Sequence, residues 1–246
     1  EPSRWIIDFG QRELHDARRF PRALEIVERA VRPHVDRPRW WQLHRPRPAR
    51  REAIDPLERY LAVGRHGKRI LLTWCEPAWI ASDATVTIAL DGDYHFGVLT
   101  SRAHILWAAY RGSSIKSDPR YTHTTVFRSF PWPAPNGEQR EAIAAAARGV
   151  VEQRTSACTD AHAGLTEVYN IVEDGGYPDL TGAHRDLDRA VAAAYGWPLG
   201  IAGDAYEVIP RLLALNHQIE AGTIDYEPFV DHPARQGDGE PAARLF

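Results

Sequence analysis

The sequence predicts an α+β fold, with a mixed β-sheet region and flanking helices over residues 1–134 and a small α-helical region over 138–246. Three observations predict it. Short runs rich in β-branched residues, at 69–74 and 85–90, lie among helical patterns in the first part. The stretch Phe130-Pro131-Trp132-Pro133-Ala134-Pro135-Asn136-Gly137 is too dense in proline and glycine for any regular element, and it marks the expected boundary. Beyond it the pattern is helical almost to the end.

Taken in order, residues 5–10 (Trp-Ile-Ile-Asp-Phe-Gly) read as a short extended run. Residues 16–30 read as one helix, with Phe20, Ala23, Leu24 and Val27 at helical spacing and Pro21 in its first turns. Prolines 33, 38, 46 and 48 forbid a helix through the arginine-rich stretch 32–51, so an extended surface segment is expected there, with a helix resuming near Ala49 or Arg51 and reaching Val63. Residues 69–74 form a strand candidate. Residues 85–99 read as a hairpin turning at Asp91-Gly92-Asp93. Ser101 is a candidate N-cap for a helix over 102–110 that Gly112 ends. A polar loop over 113–120 leads to a β-branched run over 121–127. The second part offers helices over 138–154, 160–172 and 181–195, then a fourth from a capping box at Asp204/Glu207 to about Glu220.

Composition bounds the function. Of 246 residues, 43% are apolar and 26% charged, which is enough for a packed core, and no apolar run reaches the ~20 residues of a membrane span. Cys75 and Cys158 lie far apart without metal-ligand spacing, so free thiols in a cytoplasmic protein are expected. Methionine is absent altogether, which suggests a piece of a longer polypeptide. The net charge of −3 conceals an asymmetry: +4 over residues 1–60, +3 over 61–154 and −10 over 155–246. That distribution suits a nucleic-acid face on the first two thirds, or ordinary solvated charge.

No active site stands out. There is no nucleophile elbow, P-loop, His-Glu-x-x-His pair or Cys-x-x-Cys, and the eleven histidines lack ligand spacing. The stretch Lys116-Ser117-Asp118-Pro119-Arg120 offers different chemistry. Lys and Arg donate to guanine O6 and N7, and Asp accepts from the cytosine amino group, so one loop could read both partners of a G·C pair. The same residues also suit a solvated turn. The arginines of the 32–51 stretch suit phosphate contact along an extended chain, or stacking on Trp40 and Trp41.

Three stretches, in this order and spacing, narrow the reading. They are residues 5–10, residues 96–107 (Phe-Gly-Val-Leu-Thr-Ser-Arg-Ala-His-Ile-Leu-Trp), and residues 116–121 followed by 127–133 (Phe-Arg-Ser-Phe-Pro-Trp-Pro). Together with Trp40-Trp41 and, in the tail, Tyr195-Gly196-Trp197-Pro198 and Leu213-Ala214-Leu215-Asn216-His217, the set resembles the target-recognition and C-terminal helical regions of MmeI-like type IIL restriction-modification enzymes. The resemblance implies a parent polypeptide with a nuclease region and an S-adenosylmethionine-dependent adenine N6 methyltransferase upstream. It also implies double-stranded DNA as partner. The family's Gly-rich cofactor loop and Asn-Pro-Pro-Tyr motif do not occur here, so neither a catalytic site nor a cofactor is expected in this chain. By position the resemblance carries base reading onto Lys116, Asp118 and Arg120. Backbone contact is expected of Arg45, Arg47, Arg50, Arg51, Ser101, Arg102 and Arg111. The sequence departs from the family at Pro119 and at Ser113-Ser114-Ile115, so one backbone-contacting arginine is either missing or supplied by Arg111. A different class of function for the same fold is a protein-docking module of a phage-defence methyltransferase complex. A stand-alone hydrolase lacks a nucleophile and base.

Overall fold

The structure is a computed structural model that describes residues 4–115 and 118–229. Its architecture is α+β. The first helical pattern is broken in two, α1 (Leu14–Ala17) and α2 (Pro21–Ala30). Pro21 is the cause: it opens α2, where its missing N–H costs nothing, and it cannot continue α1. Helix α3 (Pro48–Ile54) then ends well before Val63, and residues 60–64 are not helical as expected but form strand β1 (Tyr60–Gly64).

Strand β1 is the centre of a three-stranded sheet with β2 (Leu72–Cys75) and β3 (Thr85–Ile88), in the order β2-β1-β3. Both pairings are antiparallel, placing Leu61 opposite Trp74 and Ile88, so the expected mixed sheet is not found among the described residues. β1 is buried on both faces. Tyr60 and Ala62 pack with Ile54 and Ala89, while Leu61 and Val63 face the main core. That explains its unbroken apolar run.

The expected hairpin over 85–99 is also corrected. After β3 the chain enters α4 (Asp93–Thr100), opened by Gly92 and Asp93. From Tyr94 to Thr100 every residue is buried. A helix covered on all sides shows no amphipathic period, and its aromatic and β-branched residues imitate a strand. Helix α5 (Arg102–Arg111) follows directly, then the two short strands β4 (Ser113–Ile115) and β5 (Asp118–Arg120). The β-branched run after β5 is a π-helical turn over His123–Phe127 rather than a strand.

The second part contains α6 (Gly137–Asp160), α7 (Leu165–Glu173), α8 (Pro178–Ala194) and α9 (Ala205–Glu220). A full capping box opens α6, with Asn136 and Gln139 exchanging side chain-to-backbone bonds. The one expected at Asp204 is half formed. Asp204 accepts from the Tyr206 amide, while Glu207 pairs with Arg211 instead.

One apolar core runs from Leu61 and Ile88 of the sheet through α4 and α5 to Ile143, Leu187 and Leu212. Residues 130–136 have no regular structure, as expected, whereas Gly137, expected in the same linker, already belongs to α6, and Phe130 and Trp132 are buried. Coil backbone can be buried only if its polar groups find partners. Three prolines remove donors, the Phe130 amide donates to the Phe127 carbonyl, and tyrosine hydroxyls serve four of the remaining groups. Tyr195 donates to the Pro131 carbonyl (2.7 Å), Tyr94 to Pro133 (3.4 Å) and Tyr226 to Phe130 (3.4 Å), and the Trp132 amide donates to the Tyr226 oxygen (2.6 Å).

Among the described residues no helix is long and apolar enough to cross a membrane, and no cluster of His, Cys, Asp and Glu could hold a metal ion. Cys75, half-buried on β2, has its thiol pushed up by burial, as suits a packing residue.

Candidate nucleic-acid interface

Strands β4 and β5 pair antiparallel, with Ile115 opposite Asp118 and Ser113 opposite Arg120. The ribbon leaves α5 at Gly112. A Cβ there would lie 2.4 Å from the Ala108 carbonyl oxygen and 3.2 Å from that of Arg120, so only glycine lets helix and ribbon meet this closely. At its base the ribbon is tied to the chain just after β1. Arg120 bridges His66, and the Tyr121 amide donates to the Arg65 carbonyl (3.0 Å). The Arg65 amide in turn donates to Ala84 (2.7 Å).

A buried hydrogen-bond chain fixes that base from below. His104 on α5 is fully buried, and its Nδ1 donates to the Leu99 carbonyl (2.7 Å). Its Nε2 is then the acceptor for the Tyr121 hydroxyl (3.2 Å). Burial holds the imidazole neutral, with its pKa lowered to about 4, and pushes the Tyr121 phenol far up.

At a rise of ~3.3 Å per residue, three residues per strand give a ribbon about 10 Å long, close to the ~8.5 Å depth of a DNA major groove. Of the expected base-reading residues, Lys116 lies outside the described residues. Asp118 and Arg120 fall on β5.

The arginines of the first part divide into two kinds. Arg50 is buried and donates to the Ala81 carbonyl (3.3 Å), and desolvation, followed by neighbouring Arg47, lowers its pKa. Arg51 donates to Pro77 (3.0 Å) and to Asp8 (3.3 Å), and Arg47 pairs with Asp83. These three staple the N-terminal segment to the 76–83 loop. The phosphate contact expected of Arg50 is therefore corrected, because its guanidinium is spent inside the fold. Arg45 is exposed. Trp41 is buried and donates to the Arg12 carbonyl (2.9 Å), and Arg32 lies 5.3 Å from the Trp40 ring, so this tryptophan pair packs the N-terminal segment.

The contact expected of Ser101 is corrected as well. Ser101 is fully buried, and its hydroxyl turns back to donate to Val98 (2.7 Å). The amide of Arg102, at the positive end of α5, already has an anion: it donates to Asp188 Oδ1 of α8 at 2.6 Å. Burial raises the Asp188 carboxyl to about 6, partly countered by that bond. The Arg102 side chain is exposed, as is Arg111, whose guanidinium lies 5.5 Å from the Trp107 ring beside the ribbon.

Two arginines stand apart. Every other described arginine that is at least partly buried has its guanidinium hydrogen-bonded or set against an aromatic ring: Arg37, Arg47, Arg50, Arg51, Arg59, Arg69, Arg140 and Arg154. Arg65 and Arg120, joined through the base of the ribbon, have buried Nε atoms with no acceptor and no ion-pair partner among the described residues. The enclosed Nε atoms are out of reach of an outside acceptor; the Nη groups, neither enclosed nor hydrogen-bonded among the described residues, are the ones such an acceptor would meet. Sequence reading assigned Arg120 and missed Arg65. The signal for Arg65 is its register beside β5, which no local pattern carries.

The chain was compared with known proteins. Residues 68–134 match the family described as MmeI, target recognition domain. No curated protein matches. Among solved structures, that of the type IIL restriction-modification enzyme MmeI in complex with DNA matches with a TM-score of 0.61 at 20% identity. The match covers 88% of this chain, which spans only 29% of that one. By sequence over 68–134, a segment containing the ribbon, and by fold over most of its length, the chain is similar to MmeI.

Proposed function

We propose that this chain binds double-stranded DNA and reads a short sequence with the β4–β5 ribbon. It would do so as the target-recognition part of a larger adenine-specific DNA methyltransferase of the restriction-modification type. The carrying observation is a coincidence of place. The family-matched segment holds a ribbon of groove depth, and the base of that ribbon presents arginines without internal acceptors. Lys116 and Asp118 supply a donor and an acceptor for base edges, while Arg120, at the base of the ribbon, stands at the level of the groove rim. Arg45, Arg102 and Arg111, exposed and basic, hold the DNA backbone, and Arg47 and Arg51 support them from the ion pairs that order the segment.

Chemistry on the base belongs to an upstream methyltransferase domain of the same polypeptide, into which the read adenine is flipped. S-adenosylmethionine is the methyl donor in that domain. The surface cleft of this chain between α6 and α8, about 420 Å³, does not fit the cofactor: it is lined by Ala146, Gly149, Gly182, Ala183 and the carboxylates of Asp179 and Asp186, with no aromatic to stack on an adenine.

The test is selection from a randomised duplex pool by the 246-residue chain, repeated with the double exchange Lys116→Asp and Asp118→Lys. The expected result is an enriched short sequence that changes at one base pair in the exchange variant. Absence of any enriched sequence, together with absence of salt-sensitive duplex binding, refutes the reading. An enriched sequence identical in both proteins removes Lys116 and Asp118 from base readout.

A further inference from the structure

We infer that Arg65 is a phosphate-contact residue: it clamps a nucleic-acid backbone phosphate at the rim of the groove that the β4–β5 ribbon enters. The inference rests on the DNA-binding reading above. Arg65 lies immediately after β1, outside the segment matched by the family, and no expectation from the sequence assigned it.

Three observations carry it. The first is chemical. Arg65 is half-buried with its Nε enclosed and unpaired, where eight other partly buried arginines of the described chain are engaged internally. The second is geometric. Both backbone groups of Arg65 are pinned, the amide to Ala84 (2.7 Å) and the carbonyl to Tyr121 (3.0 Å), so its position relative to the ribbon is fixed before any ligand arrives. Its backbone therefore gives up little further freedom on binding. The third is one of depth. Arg65 adjoins the last residues of β5, about 10 Å from the ribbon tip at ~3.3 Å per residue. A ribbon inserted tip first into a groove ~8.5 Å deep brings that level to the sugar-phosphate rim rather than to the base edges. The ligand class that matches is a phosphodiester, whose oxygens accept the guanidinium's parallel N–H bonds.

The nearby cations do not duplicate it. Lys68 and Arg69, three and four residues on, are both paired to Glu173, which their hydrogen bonds hold below the usual carboxylate range. Each has an internal anionic partner, although the two share its single charge, and Arg65 has none among the described residues.

The experiment uses the 246-residue chain with Arg65→Gln and, separately, Arg65→Met, which keeps the aliphatic stem in place if glutamine disturbs folding. Binding to the selected duplex and to a scrambled duplex is measured from 50 to 200 mM salt. Loss of one phosphate contact is expected to make the slope of log K against log [salt] shallower by about 0.9. It should weaken both duplexes by the same factor and leave the enriched sequence unchanged. Arg65→Lys, which keeps a point charge, should retain most of the slope. An unchanged slope and affinity in both neutral variants overturns the assignment. So does a changed sequence preference, which would make Arg65 a base reader. Failure of the unsubstituted chain to bind any duplex at any salt refutes the DNA-binding reading itself, a result distinct from either.

Discussion

Replacing Gly97 with alanine adds one carbon where two helices nearly touch, and its cost follows from three distances. A Cβ on residue 97 of α4 would lie 2.7 Å from Ile143 Cγ2, 3.1 Å from Ala147 Cβ and 3.2 Å from the Ile143 carbonyl oxygen, all on α6. Carbon atoms settle at about 3.5–4.0 Å, so the helices must part by about 1 Å. Neither can move freely, because α4 is buried throughout and α6 also packs on α8. Overpacking of this kind costs about 1–3 kcal/mol, while alanine recovers about 0.5–1 kcal/mol of helix propensity. The net is a loss of about 1 kcal/mol, with about 2.5 kcal/mol as its upper bound. At about 2–4 °C per kcal/mol for a chain of this size, the unfolding midpoint should drop by about 2–4 °C, and by no more than about 10 °C. Thermal unfolding followed by circular dichroism at fixed pH reads this directly. Ile143→Ala should lower the midpoint too, and the double variant should lose less than the two singles together, since removing Cγ2 makes room for the new carbon. A midpoint above that of the unsubstituted chain, or strict additivity in the double variant, would refute the close-approach argument.

Acidification should weaken the fold. His104 and His184 are held down to about 4 by burial, His184 also by Arg154, so their contribution is complete above about pH 6.5 and is lost as pH falls toward 4. Asp188, raised to about 6, works in the other direction, its contribution being present at low pH and lost as pH rises through 6. Two groups outweigh one, so urea midpoints should fall from pH 7 to pH 5, and Asp188→Asn should deepen that fall. Midpoints that stay flat or rise toward pH 5 in both proteins would contradict this balance. Arg50→Met should lower thermal stability, by about 1–3 kcal/mol for the acceptor it strands, without altering the salt dependence of duplex binding. Arg45→Ala should do the reverse, and an identical pattern in the two variants would show that burial does not separate them.

What was legible in the sequence was whatever depends on one face or one cap. The α+β class, the helices α6 to α9 and the start of α5 follow from apolar spacing, glycine stops and capping residues close together in the chain. Elements buried on two sides defeated the same reasoning. β1 looked like the end of a helix and α4 like a strand, because neither shows a polar face to set its period. The candidate site divides similarly. The donor-acceptor set of 116–120 is visible in the residue chemistry, which suits a solvated turn as well, and base reading is carried onto it only by the family resemblance. By contrast, Arg45, Arg47, Arg50 and Arg51 look alike in sequence and differ only in what the fold brings to them: Asp83, Ala81 and Asp8 come from other parts of the chain. Ser101 has the letter of an N-cap, but the neighbouring amide is served by Asp188, 86 positions away in sequence.

The proline-rich passage at 130–137 has a practical implication for building chimaeras. Its carbonyls are held by hydroxyls that come from before it (Tyr94) and from after it (Tyr195, Tyr226). A hybrid joined there would inherit half of this latch from each parent, and any mismatch would leave carbonyls stranded in a dry interior. Trading only the eight residues of the ribbon leaves the latch intact, so an exchange confined to the ribbon disturbs this fold less than one that joins two parents at the passage.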